Sequence, residues 1–240
     1  MGKNEPMDEV VESLMSEIRG RLELIESSLP HEVDALAVSP TSRLPFMALT
    51  FRETLIWRMA ELSRSAYEEF IKERLSAAIL LTRGAVETSA ALWYLDTKVS
   101  SALKAEALGD IAQYLMQLFG GHRAFPDLPQ AISVLTFVGC VEKRLEGFRH
   151  QYDLLSEFAH PNWAGTTGLY SKINYANAVT DYGSNPRRMA GPKGVGVTNL
   201  SVALAMFELS YNHLSDVMPA FVALCEAALK HPPIDDPETE

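Results

Sequence analysis

Apolar residues recur at intervals of three and four along most of this chain, the spacing that collects them on one face of an α-helix. The first run is Val11, Leu14, Ile18, Leu22, Ile25 and Leu29, with Glu and Arg between its members. Pro6 suits the opening turn of that helix and Pro30 closes it. A loop follows through Ser39, Pro40 and Thr41. Ser42 then offers a cap and Pro45 an opening turn for the next helix. The period predicts helix over 46–99 with at most one break, near 64–67. It predicts another over 104–119, which Gly120-Gly121 stops, and a loop over 121–129 containing Pro126 and Pro129. Helix resumes from 130 to 160, interrupted near Gly147 and ended by Pro161.

The stretch 161–196 differs in kind, being rich in Gly, Asn, Tyr and Pro with no helical period. Within it 169–173 and 179–182 can pair as a short hairpin across 174–177. A long last helix is expected over 198–230, kinked at Pro219, and the tail 231–240 reads as disordered. The fold class expected is therefore all-α. It is a single helical bundle of about six helices in one domain over 1–240, with a glycine-rich irregular excursion before the last helix.

Composition narrows the function classes. The 240 residues carry a formal net charge of −10, which disfavours nucleic acid as a partner because phosphate neutralisation needs a basic face. The acidic N-terminus lacks an apolar signal core. The most apolar stretch, 75–95, carries Arg83 and Glu87 near its centre, so the expectation is a cytoplasmic protein with no membrane partner. Cys140 and Cys225 lie far apart in apolar surroundings and read as buried free thiols.

That apolar stretch carries the chemistry of interest. At about 100° per residue, Glu87 falls about 40° from Arg83, and Tyr94 and Ser76 about 20° from it. Leucine, isoleucine, valine and tryptophan fill most of the remaining circumference, so this is a buried helix whose charges need partners. A second polar stripe is Tyr152, Ser156 and His160, four apart, ending at Pro161. The simplest packing faces the two stripes toward each other. Arg83, Glu87 and His160 are then the candidates for charge stabilisation and proton transfer. Tyr152, Ser156, Tyr94 and Trp163 are the candidates for lining a ligand pocket. The excursion after Pro161 is expected to fold back over His160 and close that pocket, and the first helix to pack on the bundle or form a homodimer interface.

The segments LTRGAVETSAALWYL and FRHQYDLLSEFAHPNWAG resemble a family of uncharacterised bacterial all-helical proteins. Its blocks are Arg-x-x-x-Glu and Tyr-x-x-Leu-Ser-x-x-x-His-Pro. Here they fall on Arg83 and Glu87, and on Tyr152, Leu155, Ser156, His160 and Pro161. The resemblance implies an all-helical fold and brings no activity. Arg144 and His150 also match the Arg-to-His spacing of the HEPN group of helical nucleases. A match of that kind arises about once by chance in a chain of this composition, and Leu145 stands where that motif has a polar residue.

Glu157-x-x-His160 has di-iron spacing but no second such pair accompanies it, and GPKGVG at 191–196 lacks the ending of a phosphate loop. No metal or cofactor is expected. Facing polar stripes of this kind can serve only to fix the register of a bundle. The functional reading placed first is a binding or regulatory protein with a polar pocket for a small anionic ligand or a partner segment. The alternative is a phosphodiester-cleaving hydrolase of HEPN-like character.

Overall fold

The computed structural model describes residues 5–184 and 186–230, so the expected disordered tail lies outside the described residues. Its helices are α1 (Glu5–Ser27), α2 (Ala35–Val38), α3 (Arg43–Ile71), α4 (Leu75–Ala105), α5 (Ile111–Gly120), α6 (Val134–Glu142), α7 (Phe148–Ala159), α8 (Thr167–Tyr170) and α9 (Pro186–Lys230). A hairpin of β1 (Ser171–Asn174) and β2 (Val179–Tyr182) separates α8 from α9. The chain is mainly α-helical, as its periodicity requires. The expected six helices become nine among the described residues, because α2 and α8 are single turns of four residues that carry too little pattern to see, and the interruption near Gly147 separates α6 from α7.

Helix α4 forms the centre. It packs along α3 on one side and α9 on another, with α5, α6 and α7 laid against the remainder. Ala78, Ile79, Ala85, Ala90, Leu92, Leu95 and Val99 on α4 are all fully buried. Helix α1 packs on α9 and α3 through Ile18 and Leu22, the middle of the seam that its sequence marks out. Asp34 caps α2 and Ser42 caps α3, each accepting backbone N–H groups.

Three boundaries differ from the expectation. The break between α3 and α4 lies at 72–74 and not at 64–67. Ser63 and Ala66 are fully buried at a close helix contact and Arg64 reaches out to Glu26, so the polar stretch is an outer face and not a turn. Helix α4 continues to Ala105 and α5 begins only at Ile111. Glu106 and Gly109, both at positive φ, make the turn between them. The largest difference is α9, which starts at Pro186 and takes in most of what reads as irregular glycine-rich chain. Pro186 opens it at no hydrogen-bonding cost, since the first N–H of a helix has no partner. Pro192 is carried inside, where it removes a ladder bond.

Among the glycines of this stretch, Gly196 has a packing reason. A Cβ built there would lie 2.6 Å from Cζ of Phe70, itself buried in the core, whereas one at Gly194 would meet nothing within 4 Å. The hairpin agrees with its sequence reading. Its strands are antiparallel in the register Ser171↔Tyr182, Lys172↔Asp181, Ile173↔Thr180, Asn174↔Val179.

These two glycines give an opposed pair of expectations. Gly194→Ala should stabilise the protein by up to ~1 kcal/mol, the helix-propensity difference. Gly196→Ala should destabilise it by ~1–3 kcal/mol through overpacking against Phe70. Urea denaturation of the two variants checks the signs. Equal effects would remove the packing explanation.

Candidate functional site

The structure brings three of the sequence candidates together. Arg83 and Glu87, one turn apart on α4, face Tyr152 on α7. The guanidinium Nη2 donates to the Tyr152 hydroxyl at 2.8 Å, and that hydroxyl donates to Glu87 Oε1 at 2.9 Å. Arg83 Nε lies 3.2 Å from the same Oε1, an ion pair whose angle does not make a hydrogen bond. The guanidinium carbon sits 5.2 Å from the centre of the Tyr152 ring. Arg, Tyr and Glu thus form a closed clasp between two helices. The Arg83 and Glu87 side chains are 28% and 25% exposed, so the clasp is mostly buried and open on one side.

Local structure explains why Tyr152 is the partner. Gly147 at φ +86 turns the chain into α7, and Glu142 accepts the backbone N–H groups of Gly147 and Arg149. Phe148 and Leu155 bury the same face of α7 against α4, which carries Tyr152 inward. Burial raises the Tyr152 phenol above the ordinary value, helped by the Glu87 carboxylate, while the Arg83 guanidinium pulls it down.

The other candidates stand apart. Ser156 turns back on its own helix, donating to the Tyr152 carbonyl at 2.9 Å. His160 is the exposed C-cap of α7, about 12 Å along the helix from Tyr152. Its backbone carbonyl lies against Gly165, but no hydrogen bond from its imidazole is found among the described residues. Tyr94 shares the angular position of Arg83 but lies about 16 Å further along α4. There it packs on Tyr114 and Phe137 with the Lys98 ammonium beside it. Trp163 is 73% exposed and its ring covers Gly168. The excursion reaches the α4 stripe through the Tyr170 hydroxyl, 2.5 Å from that of Ser76. Arg144 lies in the turn before α7 and His150 on the exposed side of that helix. Cys225 is fully buried, its thiol pushed up to about 11 by desolvation, but Cys140 is only half-buried, 3.7 Å from the Thr97 hydroxyl.

Two further clusters lie outside the sequence reading. Arg52 and Glu53 of α3 are bonded to each other at 2.6 Å, and Tyr211 of α9 donates to Glu53 at 2.6 Å. Arg52 also donates to the Tyr211 carbonyl and to Ser215, and its guanidinium lies 3.7 Å over the Tyr211 ring. Adjacent unlike charges inside the apolar run 46–57 were the available signal. The second is Asp96 of α4 with His213 of α9, 2.6 Å apart. Desolvation raises the Asp96 carboxyl and the His213 bond partly reverses this.

Comparison of the chain with protein families, with curated proteins and with solved structures finds no match in any of the three.

The hydroxyl of Tyr152 can be tested directly. Tyr152→Phe should cost ~1–2 kcal/mol, at the low end for a buried polar contact because Arg83 and Glu87 can close on each other. The raised phenol fixes the pH sign. Its contribution is fully present below the unfolded value near 10.0 and is lost as pH rises through the folded one. Tyr94 and Tyr211 are also raised and act on the same alkaline limb, so the wild-type-minus-variant difference isolates Tyr152. Denaturation midpoints against pH should show that difference shrinking above pH 10.0. A pH-independent difference would contradict the assignment.

Proposed function

We propose that this protein is a helical binding or regulatory module. In it Arg83 offers its open edge to a small anion or to a carboxylate borne by a partner segment. The observation that carries the reading is the clasp. One guanidinium is held in place by Tyr152 and Glu87, yet keeps about a quarter of its side chain in solvent. A positioned arginine of this kind binds an oxyanion at low entropic cost, because its fork is already oriented. Glu87 occupies one side of it and offsets part of its charge, so it weakens the attraction for a carboxylate or phosphate arriving at the open side.

The hydrolase alternative has less support. Phosphodiester cleavage by these residues needs a proton-moving group beside the charge-stabilising one. His160, the group proposed for it, is exposed at the end of α7 away from the clasp. The resemblance of the two sequence blocks to a bacterial helical family belongs to the same proposal. Its conspicuous residues Arg83, Glu87 and Tyr152 are the members of the clasp, which gives that combination a physical meaning.

Calorimetric titration with inorganic phosphate and with a small dicarboxylate tests the reading. Arg83→Gln should abolish binding. Glu87→Gln, which removes the internal competitor, should tighten it by about fivefold, the worth of a partly exposed charge contact. Weaker binding by Glu87→Gln, or none by the wild type, would point to a clasp that only joins α4 to α7.

A further inference from the structure

At the start of α4 a cavity of about 170 Å³ opens between the α3–α4 turn and the start of α9. Phe70, Leu75, Met189 and Ala190 supply apolar walls, while Glu73, Lys193 and Ser184 supply polar ones. A cavity of ~150 Å³ accommodates an apolar group the size of benzene, so this one takes a single small side chain. Glu73 and Lys193 are of opposite charge, and among the described residues they are not paired with each other. Lys72 pairs with Glu68 and Glu69, and Arg74 pairs with Glu69. Glu73 between them has no cationic partner within 4.0 Å among the described residues, and Lys193 has no anionic one. Two unlike charges at the rim of an apolar hollow match a molecule with both charges at one end and an apolar group at the other.

We propose that this cavity binds a free α-amino acid with an apolar side chain. Its ammonium faces Glu73, its carboxylate faces Lys193 and the Ser184 hydroxyl, and its side chain lies among Phe70, Leu75 and Met189. This site is separate from the Arg83 clasp and does not depend on the reading given to it.

The backbone at Glu73 strengthens the case and provides the test. Glu73 follows the C-cap of α3 at φ 56, donating its N–H to Phe70 O while Arg74 donates to Glu69 O. That left-handed position ends a helix with least strain when it is glycine. A glutamate there holds its carboxylate at the cavity at the expense of stability. Glu73→Gly should therefore raise the melting temperature by a few degrees and abolish binding. A residue with a merely structural role cannot produce both changes. Glu73→Gln and Lys193→Met, which keep the side-chain bulk, should each lose binding with little change in melting temperature.

The probes are L-leucine, N-acetyl-L-leucine and L-leucinamide, titrated calorimetrically into the full chain. L-leucine should bind saturably. Each blocked analogue, lacking one charge, should bind at least roughly tenfold more weakly. Absence of saturable binding by L-leucine, equal binding of the analogues, or undiminished affinity in Glu73→Gly would each overturn the proposal. Loss of phosphate binding at Arg83 alone would leave these outcomes unchanged.

Discussion

Helix α4 is enclosed by its neighbours, and that enclosure decides what the rest of the molecule must do. With α3, α5, α6, α7 and α9 all packed on it, a polar group on α4 loses water, and the charged ones meet a partner on the helix that faces them. Thr82, Ser89 and Trp93 bury a hydroxyl or indole N–H with no partner among the described residues. Arg83 and Glu87 find Tyr152 on α7, Thr88 accepts from Arg58 on α3, and Asp96 meets His213 on α9. Each of these contacts goes to a different helix, so together they fix the rotation and register of the helices around the central one. The apolar contacts supply most of the stabilisation, but leucine on leucine tolerates sliding. Directional bonds do not.

Among the described residues there are two Arg–Glu–Tyr constellations, and their difference in exposure separates structure from candidate function. Arg52 and Glu53 are 7% and 9% exposed, and Arg52 is bonded to Glu53, the Tyr211 carbonyl and Ser215 while stacking on the Tyr211 ring. Little donor capacity remains and solvent has almost no access, so this cluster joins α3 to α9 and offers nothing to a ligand. At Arg83 the chemistry is the same but 28% of the side chain stays in solvent. A functional reading attaches to the second cluster for that reason.

Sequence periodicity was enough to place the long helices, because burial of an apolar stripe is a property each segment declares by itself. The hairpin was visible for a similar local reason: two short segments without helical period flank the turn from Asn174 to Asn177. Where the reading differed, the missing information was non-local. The polar stretch around Arg64 looks like a break until Glu26 of α1 is known to face it. Gly191, Gly194 and Gly196 look like flexible chain until Phe70 is seen against one of them. At the site, helix rotation correctly turned Arg83 and Glu87 toward Tyr152, but angle alone carries no axial distance. Tyr94, Ser156 and His160 share the angular positions of the clasp residues and are spread along two helices. The Arg52–Glu53–Tyr211 cluster depends on a partner far away in sequence, which no local pattern reports.

The hairpin ties the two ends of this arrangement together. Tyr170, just before β1, shares a hydrogen bond with Ser76 in the first turn of α4. Arg188, in the first turn of α9, donates to the Ser171 carbonyl at 2.6 Å. Both contacts flank the cavity walled by Leu75 and Met189, so the small sheet brackets the start of α4 to the start of α9 across that space. Without the bracket, the first turns of α9 would have Pro192 interrupting their ladder and three glycines lowering their helix propensity. Helix formation there is thus supported by tertiary contact: Phe70 against Gly196 from within, and the hairpin from outside. A segment stabilised in this way can shift at modest energetic cost when the contacts around it change. It is also the segment that carries Lys193.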